Sequence, residues 1–277
     1  MRLHVGCAMW THTAWREYQP IASERLRGYA EWCNAVEGNT TFYATPARKT
    51  VESWATQTGP DFRFILKVPK TVTHERRLNG AEAELRAFLD AVEPLGPRLH
   101  ALWVQLPASF GPNDLGALAR LLRTLPGRSA VEVRHPAFFQ DEYAAQQLER
   151  AVAGVGAEWI PFDTTVLFEG AATSAAEYEA RSKKPRVPRR TRALTEYPIV
   201  RYHGRDDTDR TVAGWQPWVE VTAAWLREGR SPTVFIHTPD NASSLLLARR
   251  FHEEVRARVP EVTALPEPAP TESMTLF

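Results

Sequence analysis

Short apolar or alternating runs, each bounded by turn residues and followed by a longer stretch with helical spacing, recur eight times along the chain. The strand segments are Leu3 to Trp10, Ala35 to Tyr43, Arg63 to Lys70, His100 to Pro107, Ala130 to His135, Glu158 to Asp163, Ile199 to Gly204 and Thr233 to Thr238. Helices are expected over Ser23 to Asn34, Ala47 to Gln57, Ala81 to Glu93, Asp114 to Leu125, Asp141 to Val155, Ser174 to Ser182, Trp218 to Glu228 and Ser243 to Val259. Alternating strands and helices imply parallel pairing through right-handed crossovers, and eight such units predict one closed (β/α)8 TIM barrel over residues 1–259. An open doubly wound sheet is the alternative, but neither GxGxxG nor GxxxxGK followed by Ser or Thr succeeds the first strand. Pro260, Pro266, Pro268 and Pro270 predict a flexible Pro-rich tail over residues 260–277.

Side chains two apart on a barrel strand point the same way, and those near the strand's C-terminal end reach the mouth, where such folds place their active sites. This selects Glu37 and Asn39, Lys67, Gln105, Glu132 and Arg134, Asp163, Arg201 and His203, and His237. In the run AVEVRHP, Val131 and Val133 face the helices while Glu132 and Arg134 face inward, where an unpaired charge is costly. Two readings follow. The charges form a working site, or Glu37, Glu132 and Asp163 form a structural ring with Lys67, Arg134 and Arg201.

Composition narrows the partners. Hydrophobic residues make up 43% and charged residues 24%, so a sizeable core is possible, and Lys plus Arg at 34 against Asp plus Glu at 33 leaves no global field for nucleic acid or membrane. Charge-driven binding must therefore be local. Cys7 and Cys33 are the two cysteines and form no CxxC pair, which fits a reducing cytoplasm, with Cys7 read as a buried packing residue. The first strand starts without a signal-peptide pattern and no apolar stretch can span a bilayer, so a cytoplasmic protein without membrane partners is expected.

The stretches GNTTFY (38 to 43), KVPKTVTHERRL (67 to 78), QLP (105 to 107), EVRHPAFF (132 to 139) and RYHGR (201 to 205) together resemble the YecE-like family, domain of unknown function 72. The resemblance runs in order to about Val255. It implies a (β/α)8 barrel similar in layout to sugar-isomerase and abasic-site endonuclease barrels, without a settled activity. Its motifs fall on Asn39, Lys67, His74, Gln105, Glu132, Arg134, His135, Arg201 and His203.

Acid–base chemistry needs two groups with pKa values split by their surroundings, which makes Glu37 and Glu132 the candidate pair. Lys67 is read as an anion-binding lysine, with a Schiff-base role as the alternative. Glu37, Glu132, Asp163, His203 and His237 are metal-ligand types, but Lys67, Arg134 and Arg201 among them would repel a divalent ion, so a site without metal or cofactor is favoured. The run RSKKPRVPRRTR (181 to 192) follows the sixth strand at the same rim and is either an anion-binding loop or a solvated, disordered one. With Arg201, Arg205, His74, Arg76 and Arg77, it points to a phosphorylated small molecule or a nucleic acid. Trp10, Trp15, Phe42, Tyr43, Phe138, Phe139 and Trp215 lie at strand ends or beyond, as stacking surfaces or packing. The terminal SMTLF, with Leu276 and Phe277, resembles peptides that bind DNA sliding clamps, although the usual glutamine is absent. The expected function is a hydrolase or lyase acting by acid–base catalysis on an anionic substrate. The competing reading is a non-catalytic protein that binds nucleic acid or a sliding clamp.

Overall fold

The computed structural model describes residues 1–19 and 21–268. Nine strands form one sheet: β1 (His4–Cys7), β2 (Ala35–Gly38), β3 (Arg63–Lys67), β4 (Leu99–Gln105), β5 (Ser129–Glu132), β6 (Glu158–Trp159), β7 (Phe162–Asp163), β8 (Ile199–His203) and β9 (Thr233–His237). Every pairing is parallel, in the order β6-β5-β4-β3-β2-β1-β9-β8-β7. The expected closed eight-stranded TIM barrel is therefore not what forms: the sheet is curled, has nine strands, and ends at β6 and β7.

The cause lies in the sixth strand segment. Pro161 has no N–H to give a ladder, and the stretch 158–163 breaks around it into two two-residue strands. The first pairs with β5 and the second with β8. The flanking groups remain satisfied, since Ile160 N–H donates to Val131 O at 2.9 Å and Arg201 N–H donates to Pro161 O at 2.9 Å.

Ten α-helices are present among the described residues: α1 (Arg25–Ala30), α2 (Thr40–Tyr43), α3 (Arg48–Thr56), α4 (Glu82–Val92), α5 (Leu115–Thr124), α6 (Ala137–Gln140), α7 (Glu142–Ala153), α8 (Ala175–Lys183), α9 (Thr208–Arg227) and α10 (Ser244–Arg258). α9 begins ten residues before the expected Trp218. Pro217, immediately before the expected start, sits inside it, and the true start is capped by the Asp207 carboxylate accepting from Arg210 N–H at 3.0 Å.

Strand alternation sorts the core. Val36, Phe64, Leu66, Val104, Val131, Val200 and Ile236 are buried with the helices on the convex side. On the concave side, Ala35, Ile65, Ala101, Trp103, Ala130, Ile160, Ile199 and Phe235 form a second apolar cluster. The next inward positions toward the C-terminal strand ends carry the charged residues, so the polar cup rests on an apolar floor. The sequence beyond α10 is irregular, with Val262 and Leu265 buried against the core. Residues 269–277, including Leu276 and Phe277, lie outside the described residues. Among the described residues no helix is long and apolar enough to cross a membrane.

Candidate functional site

Arg201, third residue of β8, is the hub of the cup. Its guanidinium reaches Glu37 on β2, with Nη2 at 3.0 Å from Oε1 and Nε donating to Oε2 at 3.1 Å, and Nη1 lies 3.4 Å from Glu132 Oε2 on β5. Glu37 also meets Lys67 Nζ at 2.8 Å and accepts from His237 Nε2 at 2.9 Å. Lys67 donates onward to Gln105 Oε1 at 2.9 Å, and Arg134 donates through Nε to Glu132 Oε1 at 2.8 Å, with its Nη2 2.7 Å from the same oxygen. Aromatic faces line the cations: Lys67 Nζ is 5.0 Å and Arg201 Cζ 5.5 Å from the Trp103 centroid, and Arg201 Cζ is 5.2 Å from that of Phe162. Six strands thus bring together Glu37, Lys67, Gln105, Glu132, Arg134, Arg201, His203 and His237.

Burial is deep. Glu37 and Glu132 are 0% exposed and Lys67 and Arg201 3%, so the charges cost little only because they face one another. Burial pushes the Glu37 carboxyl up, but Arg201, Lys67 and His237 together outweigh it and hold it well below the usual range. Burial likewise opposes ionisation of Glu132, and Arg134, Arg201 and Lys67 override it. Both carboxylates are therefore anions, and the expected acid–base pair does not split. Lys67 moves the other way. Burial, then Arg201, lower it to about 8, against the pull of Glu37 and Glu132.

Two features lie beyond this network. His203 is buried, stacks on His237 with centroids 4.4 Å apart, and its Nε2 has no hydrogen-bond partner. Burial, then His237 and Lys184, hold it well below its ordinary value, so it is a neutral imidazole with an orphaned nitrogen. Lys184, half-buried just after α8, sits within reach of the charges of Arg201, Arg134, Glu132 and Glu37. Among the described residues it has no ion-pair partner, and burial followed by Arg201 and Arg134 lowers it to about 7. The sequence marks it only as part of a basic run.

That run is largely committed. Arg181 donates to the Glu169 and Gly170 carbonyls, Lys183 pairs with Glu179, and Arg190 and Arg192 pair with Glu149 at 2.8 and 2.9 Å. Arg189 Nε donates to Asp163 Oδ2 at 2.8 Å. Asp163 consequently sits outside the cup, on the convex side: alternation from inward Ile160 and Phe162 turns it toward the helices, where Trp218 Nε1 donates to it at 2.6 Å. It anchors the strap that carries Lys184. At the other end, Arg205 of the expected anion cluster is buried against Glu177 at 2.7 Å. Asp163→Asn is expected to lower stability by roughly 1.5–3 kcal/mol, the worth of hydrogen bonds to a charged group, and to speed proteolysis within residues 181–192. An unchanged melting temperature and digestion pattern would show the anchor to be idle.

The remaining candidates scatter around the rim. His74 is half-buried, bonded through Nδ1 to Thr73 Oγ1 at 2.8 Å, and lowered by burial and Arg134. Asn39 ties Nδ2 to Ala8 O at 3.2 Å, and His135 Nδ1 accepts from Ala137 N–H at 3.1 Å at the start of α6. Trp10 packs edge-on against Trp54 of α3 at 5.2 Å, and Tyr43 is 71% exposed beside Phe42. Trp15, Phe138 and Trp215 are core residues. Among the described residues no three His, Cys, Asp or Glu side chains converge to hold a metal ion.

The family model described as "Protein of unknown function DUF72" matches residues 4–273. UPF0759 protein YecE of Escherichia coli strain K12 and of Escherichia coli O157:H7 are each 36% identical over 266 residues, spanning 95% of this chain and 96% of theirs. A crystal structure of a DUF72 family protein from Enterococcus faecalis V583 superposes with a TM-score of 0.70 at 18% identity, covering 96% of this chain and 98% of that one. A second, from Thermotoga maritima MSB8, gives 0.67 at 21% identity, covering 94% and 100%. At these identities the likeness concerns the fold alone.

Proposed function

The chain belongs to the DUF72 family, and on that premise we propose that its cup binds a small phosphorylated molecule and acts on it by acid–base chemistry of the hydrolase or lyase type. One observation carries the reading: Lys67, Arg134 and Arg201 share a cup with two carboxylates and the half-buried Lys184 adds its charge to theirs, so two positive charges lack a partner when all four are protonated. A phosphate monoester carries roughly −1.5 to −2 near neutrality, which fills that deficit. Arg134, 19% exposed at its side chain against 3–4% for Arg201 and Lys67, is the most open of these three cations. His203 Nε2 offers the ligand a hydrogen bond otherwise unmade, and leaving it unmade costs roughly 1–3 kcal/mol.

The proton work falls to Lys67: a lysine near 8 is a protonated yet willing acid at neutral pH, while His203, held neutral well below its ordinary value, positions the ligand. Glu37 and Glu132, held ionised, orient Arg201 and Lys67 and stabilise the bound state. The near-sealed cup favours a small ligand over a polynucleotide, because Arg181, Lys183, Arg189, Arg190 and Arg192 are already engaged.

Titration sets a pH signature. Above about 7 Lys184 and then, near 8, Lys67 lose protons, so anion affinity is expected to fall from pH 7 to 9. The bound anion restores those protons, so calorimetry at pH 8 in buffers of different ionisation enthalpy should register proton uptake. The functional reading is tested by screening phosphate monoesters for thermal stabilisation and turnover, with Lys67→Met and His203→Ala in parallel. Turnover lost in both variants, with binding weakened but present, supports it. Stabilisation by neutral analogues as strong as by phosphates contradicts it.

A further inference from the structure

A separate cavity of about 320 Å³ opens at the opposite, N-terminal end of the sheet, beneath β4, β5, β6 and the approach to β8. That volume lies at the lower end of the range, roughly 300–1,000 Å³, in which small-molecule sites are found. Its walls include His100, Arg128, Glu158, Leu194, Tyr197 and Ile199. The Arg128 guanidinium lies over the Tyr197 ring, with Cζ 3.8 Å from the centroid, and His100 meets the same ring edge-on at 5.4 Å. Stacking uses a guanidinium's face and leaves its in-plane N–H fork free to grip a planar anion with two bonds.

Nothing in the wall answers that fork. Among the described residues no carboxylate pairs with Arg128. Glu158, the buried acid of the cavity, spends its oxygens on Leu194 N–H at 3.0 Å and on the N–H and hydroxyl of Thr195 at 3.0 and 2.8 Å. Glu196 is exposed at the rim and makes no ion pair with Arg128. Arg63, 5.9 Å from the same ring, donates to Ser231 O, Ser231 Oγ and Thr233 Oγ1, all uncharged. His100 is 6% exposed and its Nε2 is buried without a partner, a second unmet group in the same cavity.

We infer that this cavity is a binding site for a small organic carboxylate, its charge held by Arg128 and its compact apolar body lying against Leu194 and Ile199. A planar carboxylate suits it better than a phosphate, because it can lie in the plane of the Arg128 fork with its apolar body against the cavity wall. The site is distinct from the cup and does not depend on the function proposed for it.

The test titrates the full chain calorimetrically with benzoate, phenyl phosphate and inorganic phosphate, in the unaltered protein, R128E, the cavity-filling L194W, and K184E as the variant of the opposite end. Benzoate is expected to bind saturably with one site per chain, to weaken at least about tenfold, or 1.4 kcal/mol, in R128E, to be blocked in L194W, and to be untouched in K184E. Inorganic phosphate, lacking the apolar body, is expected to show no loss in R128E. Arg128 is exposed, so R128E is expected to keep the melting temperature; should it fall, L194W carries the decision alone. The inference is overturned if benzoate fails to bind saturably, if its binding survives both R128E and L194W, or if phenyl phosphate alone occupies the cavity.

Discussion

Glu37→Gln is expected to lower the melting temperature on the order of 10 °C, at roughly 3–5 kcal/mol for breaking a buried pair and about 2–4 °C per kcal/mol in a chain of this size. The carboxylate answers Arg201, Lys67 and His237 at once, all of them buried. An amide keeps one acceptor and no charge, so Arg201 and Lys67 lose most of what compensates their desolvation. The same change raises the surplus of positive charge in the cup. Phosphate or a phosphate monoester is therefore expected to stabilise Glu37→Gln more than it stabilises the unaltered chain, a difference read directly from melting curves with and without ligand. A ring of charges that merely holds the sheet together would show the loss without the greater recovery.

Lys184→Glu is expected to do the opposite, costing little stability while weakening phosphate-ester binding by at least about tenfold, equivalent to 1.4 kcal/mol. Lys184 has no ion pair to lose among the described residues, and its neighbours Arg201 and Arg134 already repel it. Its removal therefore relieves the ligand-free protein. A glutamate there cancels the surplus charge that we propose the ligand meets, and it is expected to slow association as well as speed release, since the attractive field at the cup mouth is lost. Calorimetry paired with a melting curve separates the two effects. Equal affinity in Lys184→Glu would place the anion elsewhere.

Strand alternation made much of the cup legible. Glu37, Lys67, Gln105, Glu132, Arg201 and His237 each stand two residues beyond an apolar inward neighbour, and His203 two beyond Arg201, a local pattern that needs no tertiary information. The break at Pro161 was visible as a residue but not as an outcome, since a proline can end a strand, bulge it or sit at an edge. Asp163 was misplaced for a related reason: polarity suggested the interior, whereas its true partners, Trp218 and Arg189, come from segments 55 and 26 residues away. The acid–base split expected of Glu37 and Glu132 failed in the same manner, because their pKa values depend on how many cations converge on each. Lys184 was hidden among neighbours of equal charge, and the strap that carries it is held at two anchors, Asp163–Arg189 and Glu177–Arg205, made by distant segments. Sequence spacing finds what a strand presents; it does not find what a loop delivers.

The most direct measurement is a crystal structure of the chain grown with tungstate, a phosphate mimic whose anomalous scattering marks its own position. A tungstate ion is expected between Lys184, Arg134 and Arg201, within hydrogen-bond reach of His203 Nε2. Tungstate bound only to exposed side chains of the basic strap, with the cup unchanged at saturating concentration, would contradict it.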